Sequence, residues 1–213
     1  MNTLAPSQFI RFGWEAFKKR PWFLAGITIV IMVISGIASN LGGNMEHAQG
    51  AALVVSLVAL FVGIVAQIFI KMGSINFALK ANDDVVAVRV SDLWAPEMFW
   101  QYLLASIVVG IMVVVGFILL IVPGIYLALR FLFVQYLIVD RKMGMSDALK
   151  ESSRMTEGKK WRLLGFLLLV ILLNIVGAIL LFVGLLVTIP VTMIATAHLY
   201  RSLEHSANEV VAA

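Results

Sequence analysis

One arginine stands where the chain can least easily hold a charge. The segment Pro123–Val139, PGIYLALRFLFVQYLIV, carries a single formal charge, at Arg130. On insertion scales a guanidinium at the centre of such a segment costs roughly 2.5 to 3.5 kcal/mol. Its planar fork of donors suits the bidentate capture of a phosphate or a carboxylate. No Asp or Glu lies within any of the long apolar runs, so no intramembrane carboxylate neutralises it. The candidate partners are carbonyls freed near Pro123 or Pro190, Asn174, water, or an anion such as a lipid headgroup. Tyr126 lies one turn away on the same helical face. The plainer alternative is that Arg130 snorkels outward and bonds the loop ends. Both readings stay open at this level.

Other polar residues fall into weaker patterns. Gln67, Lys71 and Ser74 share one face of an apolar segment, with Gly63 above them. They read either as a polar lining facing Arg130 or, for Lys71, as a snorkelling side chain near a boundary. Thr188, Thr192 and Thr196 recur every fourth residue around Pro190. Small residues of this kind let helices approach, and their hydroxyls satisfy backbone that a proline leaves unpaired. His198 has no second His or carboxylate at ligand spacing, so no metal site is expected. Glu46 and His47 read as a solvated loop. There is no cysteine, no HExxH, no GxSxG and no P-loop. Catalysis by this chain alone is not expected, and no cofactor is implied.

The elements that must position these residues follow from composition. Of 213 residues, 62% are hydrophobic and only 13% are charged. Mean hydropathy is +1.00. Ordinary soluble domains are about 25% charged, so the solvent for most of this chain is lipid. The expected fold is all-α: one integral membrane domain over residues 1–213, a polytopic helical bundle. The expected spans cover residues 21–41, 51–70, 99–121, 123–139, 161–183 and 185–202, with a disordered tail at 204–213. The second is expected to continue as helix to about Lys80. Residues 7–20, with Phe9, Ile10, Trp14 and Phe17 opposite Arg11, Glu15 and Lys18, predict an interfacial amphipathic helix capped by Ser7. A second amphipathic helix is expected between spans four and five. Ser146 caps it, Ala148, Leu149, Ser152 and Met155 form its less polar face, and Gly158 ends it.

Charge sets the orientation. Apart from Arg130, every Lys and Arg falls in the N-terminal segment, the two long connections that follow spans two and four, or the C-terminal end. The three opposite connections, including GGNMEHAQG, have none. Both termini are therefore expected in the cytoplasm, with net charge +4 suited to anionic headgroups rather than to nucleic acid. Trp22, Trp100 and Trp161 fit an aromatic belt. Trp100–Pro123 aligns without gaps onto Trp161–Gly184, matching Val115-Gly116 with Val176-Gly177 and Ile118-Leu119-Leu120 with Ile179-Leu180-Leu181. This reads as an internal repeat of parallel hairpins. The N-terminal segment with the first two spans is a candidate for a third, diverged unit.

Three stretches, PGIYLALR, ALKESSRMTEGKKWRLLG and a terminal P…LYRSL, carry a resemblance. They are similar to the membrane domain fused to bacterial glycerophosphoryl diester phosphodiesterases, and to stand-alone six-helix bacterial membrane proteins related to it. The corresponding positions are Pro123, Gly124, Arg130, Ala148, Leu149, Ser152, Thr156, Gly158, Trp161, Arg162, Pro190 and Tyr200. The resemblance covers about the last 90 residues. It implies a bacterial inner-membrane location and a link to lipids. No catalytic barrel domain is expected to follow, so the resemblance is not expected to carry phosphodiesterase activity to this chain.

Two functions are expected from these observations. One is a lipid-handling or permease-like bundle in which Arg130, with Tyr126, Gln67, Lys71 and Asn174, binds an anionic headgroup. The other is a structural or adaptor protein that recruits partners or organises the membrane through its amphipathic segments. The expected partners are anionic membrane lipids, with a protein partner or a second copy as further alternatives.

Overall fold

A computed structural model describes residues 5–40, 51–94, 97–180 and 183–212. The linker 42–50, with Glu46 and His47, lies outside the described residues. The described chain forms helices α1 (Pro6–Lys19), α2 (Pro21–Asn40), α3 (Ala51–Asp83), α4 (Phe99–Leu119), α5 (Ile121–Arg130), α6 (Val134–Arg141), α7 (Met145–Thr156), α8 (Lys160–Ile179) and α9 (Leu185–Ala212), with a short 3-10 turn at Val90–Leu93. No strand occurs among the described residues.

Five helical segments are long and apolar enough to cross a membrane: Pro21–Ser39, Val54–Asp83, Phe99–Leu119, Ile121–Arg141 and Lys160–Ile179. Large apolar side chains are exposed along all of them, among them Val33, Phe61, Ile111, Val122 and Leu172. Soluble monomers rarely expose continuous apolar surface on this scale. The sixth expected span falls in α9, which is not among the five. Three threonines, Pro190 and His198 dilute its apolar character, and its neighbours explain why that is tolerated. Val191, Ile194, Ala195, Ala197, Leu199 and Tyr200 are buried, with α1, α2, α3, α7 and α8 packed around the helix. A helix solvated by protein does not need a lipid-compatible surface. Over the stretch expected as a disordered tail, α9 continues as helix to Ala212, and Glu204 is buried.

The amphipathic helix expected over residues 7–20 forms, and its apolar face turns to protein. Phe9, Ala16 and Phe17 are buried, Phe9 meets Phe166 edge-on at 5.9 Å, and Phe12 stacks on His198 at 3.8 Å. Gly13 makes this possible, since a Cβ there would sit 2.3 Å from the Val191 carbonyl oxygen. Ser7 is not the cap; Ala5 holds the N-cap position and Pro6 the first turn. Likewise Gly144, not Ser146, is the N-cap of α7, whose Met145 N–H is taken by the Gln101 side chain of α4.

The two C-terminal hairpins are built alike. In α4–α5 a Cβ on Gly116 would lie 3.0 Å from the Gly124 Cα. In α8–α9 a Cβ on Gly177 would lie 2.5 Å from the Thr188 hydroxyl. Gly116 and Gly177 are aligned positions of the repeat expected from the sequence. Pro123 sits in the first turn of α5, where its missing N–H has no intrahelical partner to lose.

Gly73 fixes the connection after α3. A Cβ there would lie 1.9 Å from the Leu93 backbone oxygen, so this segment lies directly on the helix. Asn76 donates to the Asp92 carbonyl at 2.7 Å and Lys80 to its carboxylate at 2.6 Å. Gly73→Ala is expected to lift the segment and cost about 1–3 kcal/mol, the usual range for overpacking against backbone. Limited proteolysis with cleavage mapped to residues 84–94, alongside thermal unfolding in detergent, checks this. Unchanged cleavage and melting would show that the contact tolerates a methyl group.

Candidate functional site

Arg130 is the last residue of α5, and the helix breaks immediately after it. Phe131–Phe133 form a turn before α6 resumes at Val134. A break inside an apolar segment frees backbone groups that need partners. They find them on α7, whose buried face is Ala148, Ser152, Met155 and Thr156. The Ser152 hydroxyl donates to the Arg130 carbonyl at 2.9 Å and accepts from the Phe133 N–H at 3.3 Å. The Thr156 hydroxyl also reaches the Arg130 carbonyl, at 3.3 Å. Gly158, at φ +69°, then reverses the chain into α8.

The Arg130 side chain turns outward from this clamp. Its Nε donates to the Ser153 hydroxyl at 2.7 Å, and its guanidinium stands 5.7 Å from the Phe131 ring centroid. The residue is half-buried and sits at the α5–α7 contact. Tyr126, exposed on the same helix, carries the Lys160 ammonium 3.8 Å above its ring. Lys160, Arg130 and Glu157 all lie within electrostatic reach of this phenol. Lys159 and Arg162 flank Lys160. Burial, then the charge on Arg162, holds the Lys159 ammonium below its usual value. Among the described residues neither Arg130 nor Lys160 has a salt-bridge partner. The result is a cationic edge made by α5, α7 and the first turn of α8.

The remaining candidates lie elsewhere. Gln67 donates to the Ser35 carbonyl of α2 at 2.9 Å, and with Lys71 it lines a cavity of about 290 Å³ between α2 and α3. These residues face α2, so the expected convergence on Arg130 does not occur. Asn174 faces α9, donating to the Val170 carbonyl at 2.8 Å and to the Thr192 hydroxyl at 3.4 Å; it is no partner for Arg130. Thr192 in turn donates to the Thr188 and Ile189 carbonyls beside Pro190. His198 bonds Asn82 at 3.0 Å. No group of three metal-ligating side chains occurs among the described residues.

The end of the bundle bearing α1 and α7 gathers the other charges; here it is called the basic end. Arg20 donates to the Val85, Val86 and Val88 carbonyls. Arg201 bridges Asp140 at 2.7 Å, Asp83 at 3.0 Å and Glu204 at 3.4 Å. Arg141 pairs with Glu204, and Lys142 with Glu97. The Tyr200 hydroxyl donates to Asp140 at 3.0 Å. A hydrogen bond from Lys142 holds the Glu97 carboxyl below its ordinary value. Partial burial pushes Asp92 up, yet bonds from Lys80 and the Arg89 N–H hold it low. A cavity of about 430 Å³ opens among Asn76, Lys80, Asp83, Glu97, Asp140 and Lys142, but its charges already satisfy one another. Trp22, Trp100 and Trp161, each in the first turn of a long apolar helix, are strongly exposed at this end. Sequence reasoning missed the clamp and the Lys160–Tyr126 contact. The available signal was Ser152 and Thr156, two hydroxyls one turn apart on the apolar face of an amphipathic helix.

Residues 96–202, half of the chain, match the family described as the membrane domain of glycerophosphoryl diester phosphodiesterase. The chain belongs to this family. The matched region contains the α4–α5 hairpin, the break, its clamp and the α8 anchor. In this member of the phosphodiesterase membrane-domain family, Pro123, Gly124, Ser152, Thr156 and Gly158 serve the broken helix, and Tyr200 ties α9 to Asp140. No curated protein and no solved structure matches the chain.

Proposed function

We propose that this domain is a lipid-binding, lipid-handling module of a bacterial inner membrane, with both termini cytoplasmic, and that it catalyses nothing itself. The headgroup site is the cationic edge where Arg130 and Lys160 flank Tyr126. One observation supports this above the rest: two neighbouring cations, bordered by apolar surface and exposed tryptophan, have no salt-bridge partner among the described residues. A phosphate placed there receives charge-assisted hydrogen bonds from both side chains. The adaptor reading is less well supported, because α1 spends Phe9, Ala16 and Phe17 on contacts with its own bundle.

Native mass spectrometry of the detergent-purified chain with added phosphatidylglycerol tests the reading. A hydrogen bond to a charged group contributes about 1.5–3 kcal/mol. Arg130→Ala with Lys160→Ala is therefore expected to weaken retention of the anionic lipid tenfold or more, with phosphatidylcholine retention unchanged. Equal retention of phosphatidylglycerol by wild type and the double variant would overturn it.

A further inference from the structure

The cavity between α2 and α3 is a second place where apolar walls end at an uncompensated charge. It is lined by Ala38, Leu60, Ile64, Gln67, Ile68 and Lys71, with Gly63 and Ser39 completing it. Lys71 is exposed, and no hydrogen bond or ion pair holds its ammonium among the described residues. The Gln67 amide nitrogen donates to the Ser35 carbonyl and the Ser39 hydroxyl to the Gly36 carbonyl. From Lys71 to Leu60 the groove follows α3 for about 16 Å at 1.5 Å per residue. That is close to half of a hydrocarbon core about 30 Å thick. The cation is at the end of the groove nearer the basic end, since α3 runs from Ala51 toward the charged Asp83 contact.

We infer that the α2–α3 groove is a binding site for a single acyl chain of an anionic phospholipid, whose phosphate is held by Lys71. The length of the apolar channel matches one chain crossing one leaflet. Its lining is apolar except for Ser39, Gln67 and Lys71, so the chain lies along the walls and the headgroup at the Lys71 end. Charge complementarity selects a phosphate without a compensating ammonium. This site does not depend on the Arg130 edge, because it is built by different helices and shares no residue with it.

The test uses the full chain in detergent and lysophosphatidylglycerol, which has one acyl chain and an anionic headgroup, with lysophosphatidylcholine and glycerol phosphate as comparison probes. Wild type is expected to bind lysophosphatidylglycerol and to bind glycerol phosphate, which has no chain, at least tenfold more weakly. Lys71→Gln is expected to weaken lysophosphatidylglycerol binding at least fivefold and to leave lysophosphatidylcholine unchanged. Ile64→Trp, which fills the groove without touching Lys71, is expected to weaken both lysolipids. Unchanged binding in both variants would overturn the inference. So would glycerol phosphate binding as tightly as the lysolipid, which would mark Lys71 as a simple anion site. Arg130→Ala with Lys160→Ala in parallel separates the two sites: loss there with retention in Lys71→Gln sinks the groove alone, and the reverse sinks the edge alone.

Discussion

Replacing Arg201 by alanine is expected to be the most destabilising single change at the basic end, at about 3 kcal/mol. One guanidinium there binds carboxylates from three helices: Asp83 of α3, Asp140 of α6 and Glu204 of its own α9. The side chains of Asp140 and Glu204 are only 15% and 8% exposed. Removing the cation leaves Asp140 with the Tyr200 hydroxyl alone and Glu204 with Arg141 alone. Breaking a buried ion pair from one side costs about 3–5 kcal/mol, since the abandoned charge stays desolvated. The lower figure is appropriate because the Arg201 side chain keeps 25% exposure and water can enter. Arg201→Lys should recover part of the loss, as a point charge cannot bridge three carboxylates in fixed directions. Thermal unfolding in detergent reads the effect directly. A melting temperature within one degree of wild type for Arg201→Ala would mean that the three helices are held by apolar packing alone.

Ser152→Ala is expected to cost about 1–3 kcal/mol, the penalty for leaving a buried backbone donor unpaired. Ser152 is fully buried and is the partner of the Phe133 N–H. Thr156→Val should cost less, because Ser152 still serves the Arg130 carbonyl at the shorter distance. Since both hydroxyls act on one carbonyl, the double variant should cost more than the two single costs added together. Hydrogen exchange at the Phe133 amide separates this account from general loosening. It should accelerate in Ser152→Ala and stay slow in Thr156→Val. Equal protection in both would show that the break does not depend on α7. The same clamp fixes Arg130 at the α5–α7 contact, so loss of anionic-lipid retention in Ser152→Ala would link the break to the proposed headgroup edge.

The chain announces its solvent and its charged end without any structure. Hydropathy and the placement of Lys and Arg are sums over neighbouring residues, and a bilayer filters on those sums. Helix limits followed within a few residues, as at Pro21, Phe99 and Lys160, because the breakers Pro, Gly and charge are local. The expected repeat aligns Gly116 with Gly177, and each is a point of close approach within its own hairpin. Spacing places Ser152 on the less polar face of α7, whereas Thr156 enters only through the resemblance.

Tertiary structure alone decided who meets whom. Ser152 finds backbone 19 and 22 residues away, and His198 finds Asn82 across 116 residues. Gln67 and Lys71 turn to α2 and away from Arg130, although spacing on α3 is silent about which neighbour its polar face receives. Burial likewise belongs to the assembled bundle: α1 has the composition of an interfacial helix and α9 that of a poor membrane span, yet they pack on each other. The sequence could state each helix's polarity, but whether water, lipid or protein surrounds a face is a property of its neighbours. Those neighbours are chosen by close approaches such as Gly13 on Val191, which depend on three-dimensional fit and leave no periodic mark in the chain.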